Sequence, residues 1–212
     1  TTFLRSMSRF VDIVGQYLDD MSVDKFREIA TKLAHKLSPD QMELVKWIRN
    51  RLPKVDPQTL LQKVIPPGDI EKYLSGDWEP LVGGFIARAQ DVQDLNRPSE
   101  IVEGLALLYK RGDGTMPFAD VKSVGVIRFK SDKAGQLTPA FGTALGGNLP
   151  DPPPFTGTGF TGSSKHLIPE FHTPERVPLQ DGAELWEVFE DGTQVLRGIF
   201  SAKSNRFIKI AD

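Results

Sequence analysis

Residues 177–210, VPLQDGAELWEVFEDGTQVLRGIFSAKSNRFIKI, decide the fold. Short runs rich in apolar and β-branched residues are cut by Asp181-Gly182, Asp191-Gly192 and Ser204-Asn205, pairs that accept the backbone of tight hairpin turns. The spacing predicts a succession of strands, so the C-terminal half of the chain reads as mostly β. Upstream, SVGVIRFK at 123–130 alternates and is β-branched, which predicts a strand with Val124, Val126 or Ile127, and Phe129 in the core. LVGGFIARAQDV at 81–92 predicts another, running through Val82, Phe85, Ile86 and Ala87 into the lone charge Arg88.

Further towards the N-terminus the period changes from two to three and four. Phe3, Leu4, Met7, Phe10, Val11, Val14 and Leu18 fall on one face of a first helix, and Val23, Phe26, Ile29, Ala30, Leu33 and Leu37 form the stripe of a second. SPDQ at 38–41 is a capping box with Pro39 at the first helical position, opening a third helix through Met42, Val45, Ile48 and Leu52. DPQTLLQKV from Asp56 and PGDIEKYL from Pro67 read as two shorter helices, and NRPSEIVEGLALLY adds one from Pro98 to about Tyr109. The expectation is an α+β protein: a helical N-terminal region, 1–77, packed on a β-rich core of mixed or antiparallel strands, 78–212.

Composition removes several function classes. The 212 residues carry a net charge of −2, so no general basic field exists to hold a nucleic-acid backbone. The chain has no cysteine, which excludes disulfides, thiolate catalysis and cysteine metal sites. No apolar run approaches the ~20 residues that span a bilayer.

Chemistry-bearing residues concentrate at 155–175, FTGTGFTGSSKHLIPEFHTPE. Gly157, Gly159 and Gly162 let the backbone approach a ligand, and Thr156, Thr158, Thr161, Ser163 and Ser164 offer hydroxyls. Two carboxylates, Glu170 and Glu175, and two histidines, His166 and His172, follow. Arg88, ending a buried strand, needs an anion: a phosphate or carboxylate held by its forked guanidinium, or an internal acid such as Asp91. His166, Glu170 and His172 do not have HExxH spacing, so no metal site is assigned.

A strand ending in Arg88, then a helix, a strand, the run Gly159-Phe160-Thr161-Gly162-Ser163-Ser164 and an acid ahead of VPLQDGAELWEV resembles the ADP-ribosyltransferase toxin fold. The resemblance covers 82–212. It implies a toxin-like effector, secreted or delivered into a target cell, that cleaves the nicotinamide–ribose bond of NAD, with NAD as substrate. Arg88 would contact the NAD phosphates, Thr161, Ser163 and Ser164 would hold the ribose and the nicotinamide amide, and Glu175, matched ahead of Glu170, would be the catalytic acid. By residue type, Phe160 or Phe155 stacks on the nicotinamide and His166 or His172 bonds a ribose hydroxyl. A protein acceptor in the target cell and an immunity protein are the implied partners.

Thr173 stands where transferases to protein acceptors carry Glu or Gln, which favours water as acceptor and an NAD glycohydrolase. LTPAFG at 137–142, with a following Gly-Gly, is similar to a segment of the tuberculosis necrotizing toxin family, which also degrades NAD. The alternative is a non-enzymatic partner-binding or delivery module of a larger secreted protein. In that reading the Pro-rich residues 150–154 dock as a polyproline segment.

Overall fold

The computed structural model describes residues 13–150 and 154–210. Most of the expected first helix and the Pro-rich positions 151–153 lie outside the described residues. The rest is α+β. Eight strands form one antiparallel sheet: β1 (Leu61–Ile65), β2 (Leu81–Arg88), β3 (Ser123–Phe129), β4 (Thr138–Pro139), β5 (Phe171–Pro178), β6 (Glu184–Phe189), β7 (Gln194–Ser201) and β8 (Arg206–Lys209). Their order across the sheet is β4-β5-β2-β1-β3-β6-β7-β8. The C-terminal meander β6, β7, β8 forms as its turn pairs predict, with Gly192 at φ 87° and Asn205 at 52°. Asp181-Gly182, with Gly182 also at 87°, turns the chain between β5 and β6, which are not paired, and is not a hairpin.

Helices α1 (Val23–Ala30), α2 (Pro39–Arg49), α3 (Pro67–Ser75) and α4 (Pro98–Gly104) accompany the sheet. The capping box is present in full. Gln41 N donates to the Ser38 hydroxyl, and the Ser38 amide donates back to Gln41 Oε1. Both faces of the sheet are covered, which is why β3 is buried at six of its seven positions. On one face Leu61, Ile86, Ile127, Phe129, Phe171 and Leu185 pack under Ile70 and Tyr73 of α3. On the other Val64, Ala87, Val124, Val126 and Val188 meet Ile101 of α4 and Phe118. Helices α1 and α2 make a third cluster whose floor is Phe160 and Leu145 from the long loops. Each such fully buried side chain stabilises by about 1.5–3 kcal/mol.

Several expectations are corrected. DPQTLLQKV is not a helix: Leu61–Ile65 is β1, at the centre of the sheet between β2 and β3. Its Leu, Gln and Lys are good helix formers, but the run is fenced by Pro57 and Pro66 and is buried on both faces, which suits a short central strand. A boundary at 77 therefore cuts through the sheet, since β1 and α3 belong to the same core as β2 to β8. The second helix stops at Ala30 and resumes only as a single 3-10 turn at Ala34–Lys36. The helix from Pro98 ends at Gly104, ahead of Ala106 at φ 52°.

Candidate functional site

The loop 155–170 is placed by backbone pairing. Phe160 bridges Pro169, Thr161 N donates to Ile168 O at 3.0 Å, and Glu170 N donates to Gly159 O at 2.8 Å. Arg49, at the end of α2, locks this turn from beneath. It is 1% exposed; its Nε donates to Gly159 O at 2.8 Å, its Nη2 donates to Glu170 O at 3.0 Å, and its guanidinium lies 4.4 Å from the Phe171 ring centre. Gly159, at φ 85°, is needed for that contact, because a Cβ there would meet Arg49 Cγ at 2.7 Å.

The hydroxyls of the run are consumed by the protein itself. Thr156 donates to Phe160 O at 2.6 Å, Thr158 to Ala30 O at 2.5 Å and Thr161 to Gly104 O at 2.5 Å. The Ser163 hydroxyl and both the amide and hydroxyl of Ser164 bond the Glu103 carboxylate at 2.7–3.1 Å. These bonds hold Glu103 below the usual carboxylate range against the opposing effect of burial. Ser163 and Ser164 are therefore loop-fixing groups in this structure and not pocket groups. Phe160 is fully buried against Phe26, with ring centres 5.8 Å apart, and is a core residue.

Glu170, by contrast, opens onto a cavity of about 530 Å³, within the range of small-molecule sites. Phe85, Phe155 and His172 make an aromatic wall: Phe85 is 5.1 Å from Phe155 and 5.0 Å from His172, centre to centre. His172 follows Glu170 by two positions and pairs with Phe85 across β5 and β2, so all three lie on one face. Thr161, Gln62 and Lys63 also line the cavity, and the exposed Lys110 stands at its edge. Pro150 and Pro154 line it too, so both ends of the Pro-rich segment are turned onto the cavity.

Two charged groups in this cavity are poorly compensated. Burial pushes the Glu170 carboxyl up to about 8, with Lys63 and Arg49 pulling it back. Burial likewise pushes the Lys63 ammonium down to about 8, opposed by Glu170. Among the described residues no hydrogen bond or ion pair reaches the Glu170 carboxylate. Partial burial and Lys63 together hold His172 below its ordinary value, which keeps it neutral at physiological pH.

Arg88 is ion-paired internally, although its buried Nε makes no hydrogen bond among the described residues. Its Nε lies 3.3 Å from the Asp91 carboxylate, its Nη2 donates to Gln90 Oε1 at 3.2 Å, and it does not line the cavity. Asp91 is pushed up to about 6 by burial in spite of Arg88 and Arg49. Glu175 is exposed in the irregularity of β5 opposite Val82 and Gly84, away from the cavity lining. His166 is held 3.3 Å from Asp94, apart from Glu170 and His172. Of the seven assigned residues the cavity gathers Glu170 and Thr161, and it leaves out Arg88, Phe160, Ser163, Ser164 and Glu175.

Sequence reasoning missed Lys63 and Arg49. Lys63 carries a signal, a lone cation inside the run 60–65, but in the helix that the spacing predicts a lysine faces water. Arg49 carried none, since the last turn of a helix ordinarily holds a basic residue. No family model matches the chain, and no curated protein matches it. No helix among the described residues is long and apolar enough to cross a membrane.

Proposed function

We propose that the chain cleaves the nicotinamide–ribose bond of NAD in this cavity, with Glu170 as the catalytic carboxylate, and that its sheet is of the ADP-ribosyltransferase type. The observation that carries the reading is the placement of one half-buried carboxyl, without a hydrogen-bond or ion-pair partner among the described residues, beside an aromatic wall in a cavity of about 530 Å³. Nicotinamide in NAD is a flat cation. Phe85, Phe155 and His172 offer ring faces to the flat group, and Glu170 offers the countercharge.

As the glycosidic bond breaks, positive charge passes from the ring to the ribose, which becomes oxocarbenium-like. A carboxylate held in a water-poor site stabilises that charge more than water does. Glu170 is mostly protonated in the empty cavity at neutral pH, and the arriving cation favours its ionised form. Lys110 at the edge is available to the phosphates, the part expected of Arg88. Transfer goes to water or to a group on a target, consistent with a delivered effector that has an immunity partner.

The test is incubation with NAD while free nicotinamide is followed, comparing the parent with Glu170→Ala, Glu175→Ala and Arg88→Ala. Release by the parent and by Glu175→Ala, with loss in Glu170→Ala, supports the reading. No release by the parent, with or without a cell lysate as acceptor source, overturns it.

A further inference from the structure

Lys63 is a half-buried nucleophilic group that the reaction above does not use. The backbone is arranged to deliver it. Strands β1 and β2 pair only at Leu61 with Arg88 and Gln62 with Ala87, then part. The Lys63 side chain enters the gap, and its Nζ donates to Phe85 O at 3.0 Å, replacing the ladder bond that the parted strands cannot make. Gly84 keeps the gap open: it sits at φ 73°, where side chains are strained, and a Cβ there would lie 3.3 Å from Lys63 Nζ. Lys63 lines the cavity that also holds Glu170 and the Phe85, Phe155 and His172 rings. No carboxylate lies within ion-pair distance of it among the described residues.

We propose that Lys63 is an amine nucleophile that captures small carbonyl compounds carrying a flat ring, as an imine, inside this cavity. The nitrogen lone pair adds to the carbonyl carbon while the C=O π pair moves to oxygen and takes a proton from the Glu170 carboxyl. The Glu170 carboxylate then takes a proton from the nitrogen and returns it to that hydroxyl, which leaves as water while the nitrogen lone pair forms the C=N bond. The iminium gives its remaining N–H proton to the carboxylate. Aldehyde and amine give imine and water, with no oxidant or reductant required. Burial supplies the free amine, since it holds Lys63 down at about 8, and the same burial leaves Glu170 with a proton to give. The aromatic wall selects the flat ring, and the fixed Phe85 carbonyl selects the position of the nitrogen. This activity does not depend on NAD cleavage, and nicotinamide release is measured separately from it.

The probe is pyridine-3-carbaldehyde with sodium cyanoborohydride, which reduces the imine to a stable secondary amine read by intact mass and peptide mapping. The expected result is one adduct, on Lys63, ahead of the exposed Lys110 and Lys165, with labelling slowed about tenfold in Glu170→Gln because the proton donor is gone. Lys63→Arg should remove the adduct. If that variant does not fold, the distribution in the parent decides alone. Adducts spread over the exposed lysines, or an adduct on Lys110 with Lys63 unmodified, overturn the proposal.

Discussion

The hydroxyl run 156–164 and the cavity around Glu170 are close in sequence, yet they treat polar groups in opposite ways. In the run, Thr156, Thr158, Thr161, Ser163 and Ser164 all find protein partners, and Arg49 spends its guanidinium on two backbone carbonyls. In the cavity, among the described residues, Glu170 has no such partner and Lys63 has one carbonyl. A buried hydrogen bond contributes about 1 kcal/mol, whereas a buried charge without compensation costs several. The first region thus stabilises the fold, and the second is maintained against stability. A fold keeps such an arrangement where a ligand completes it.

The comparison is broken most sharply by substitution of the two acids. Glu170→Gln should lower nicotinamide release by about 10²–10³-fold, the loss typical of one group that stabilises transition-state charge, while Glu175→Gln leaves the rate unchanged. Equal losses in both would erase the distinction between cavity and surface.

Arg49→Met tests the other side. It leaves the Gly159 and Glu170 carbonyls without their charged donor, and urea unfolding should show a loss of about 3 kcal/mol, from two bonds to a charged group. A change near zero would mean that the turn beneath the cavity does not need its arginine.

A smaller effect of opposite sign is expected from Glu170→Gln on stability. The folded carboxyl titrates near 8 and the unfolded one near 4.5, so the folded state binds the extra proton between these values. Stability contributed by Glu170 therefore falls as pH rises through that window, and its full cost is present above about 8. The Gln variant, which cannot ionise, should melt roughly 2–4 °C above the parent at pH 9, about 1 kcal/mol for a chain of this size. At pH 4 the two should melt together. A variant that melts lower than the parent at pH 9 would show the carboxylate to be satisfied. Least of all should come from Ser164→Ala, an exposed hydroxyl whose amide bond to Glu103 remains: roughly 0.5 kcal/mol or less by denaturation, with nicotinamide release unchanged.

What the sequence disclosed divides along the same line. Turns such as Asp191-Gly192, the Ser38 capping box and the strand at Ser123–Phe129 are set by residues within a few positions of one another, and they were legible. β1 was not, because Leu61, Val64 and Ile65 fit a helical stripe as well as a strand, and only the pairing with β2 and β3 separates the two. The site was half legible. Glu170 and Thr161 were named, but whether a hydroxyl faces a ligand or a carbonyl is settled by distant partners: Ala30 for Thr158, Gly104 for Thr161, Glu103 for Ser163. Asp91, three positions from Arg88, is legible as its partner, and the fold brings that acid to 3.3 Å.

The most direct measurement is the rate of nicotinamide release from saturating NAD between pH 5.5 and 9.5. The expected rate climbs as Glu170 gives up its proton, with the bound cation drawing the midpoint below the free value of about 8, and Glu170→Gln shows no such limb. A parent that releases no nicotinamide at any pH, or a limb that survives in Glu170→Gln, would contradict it.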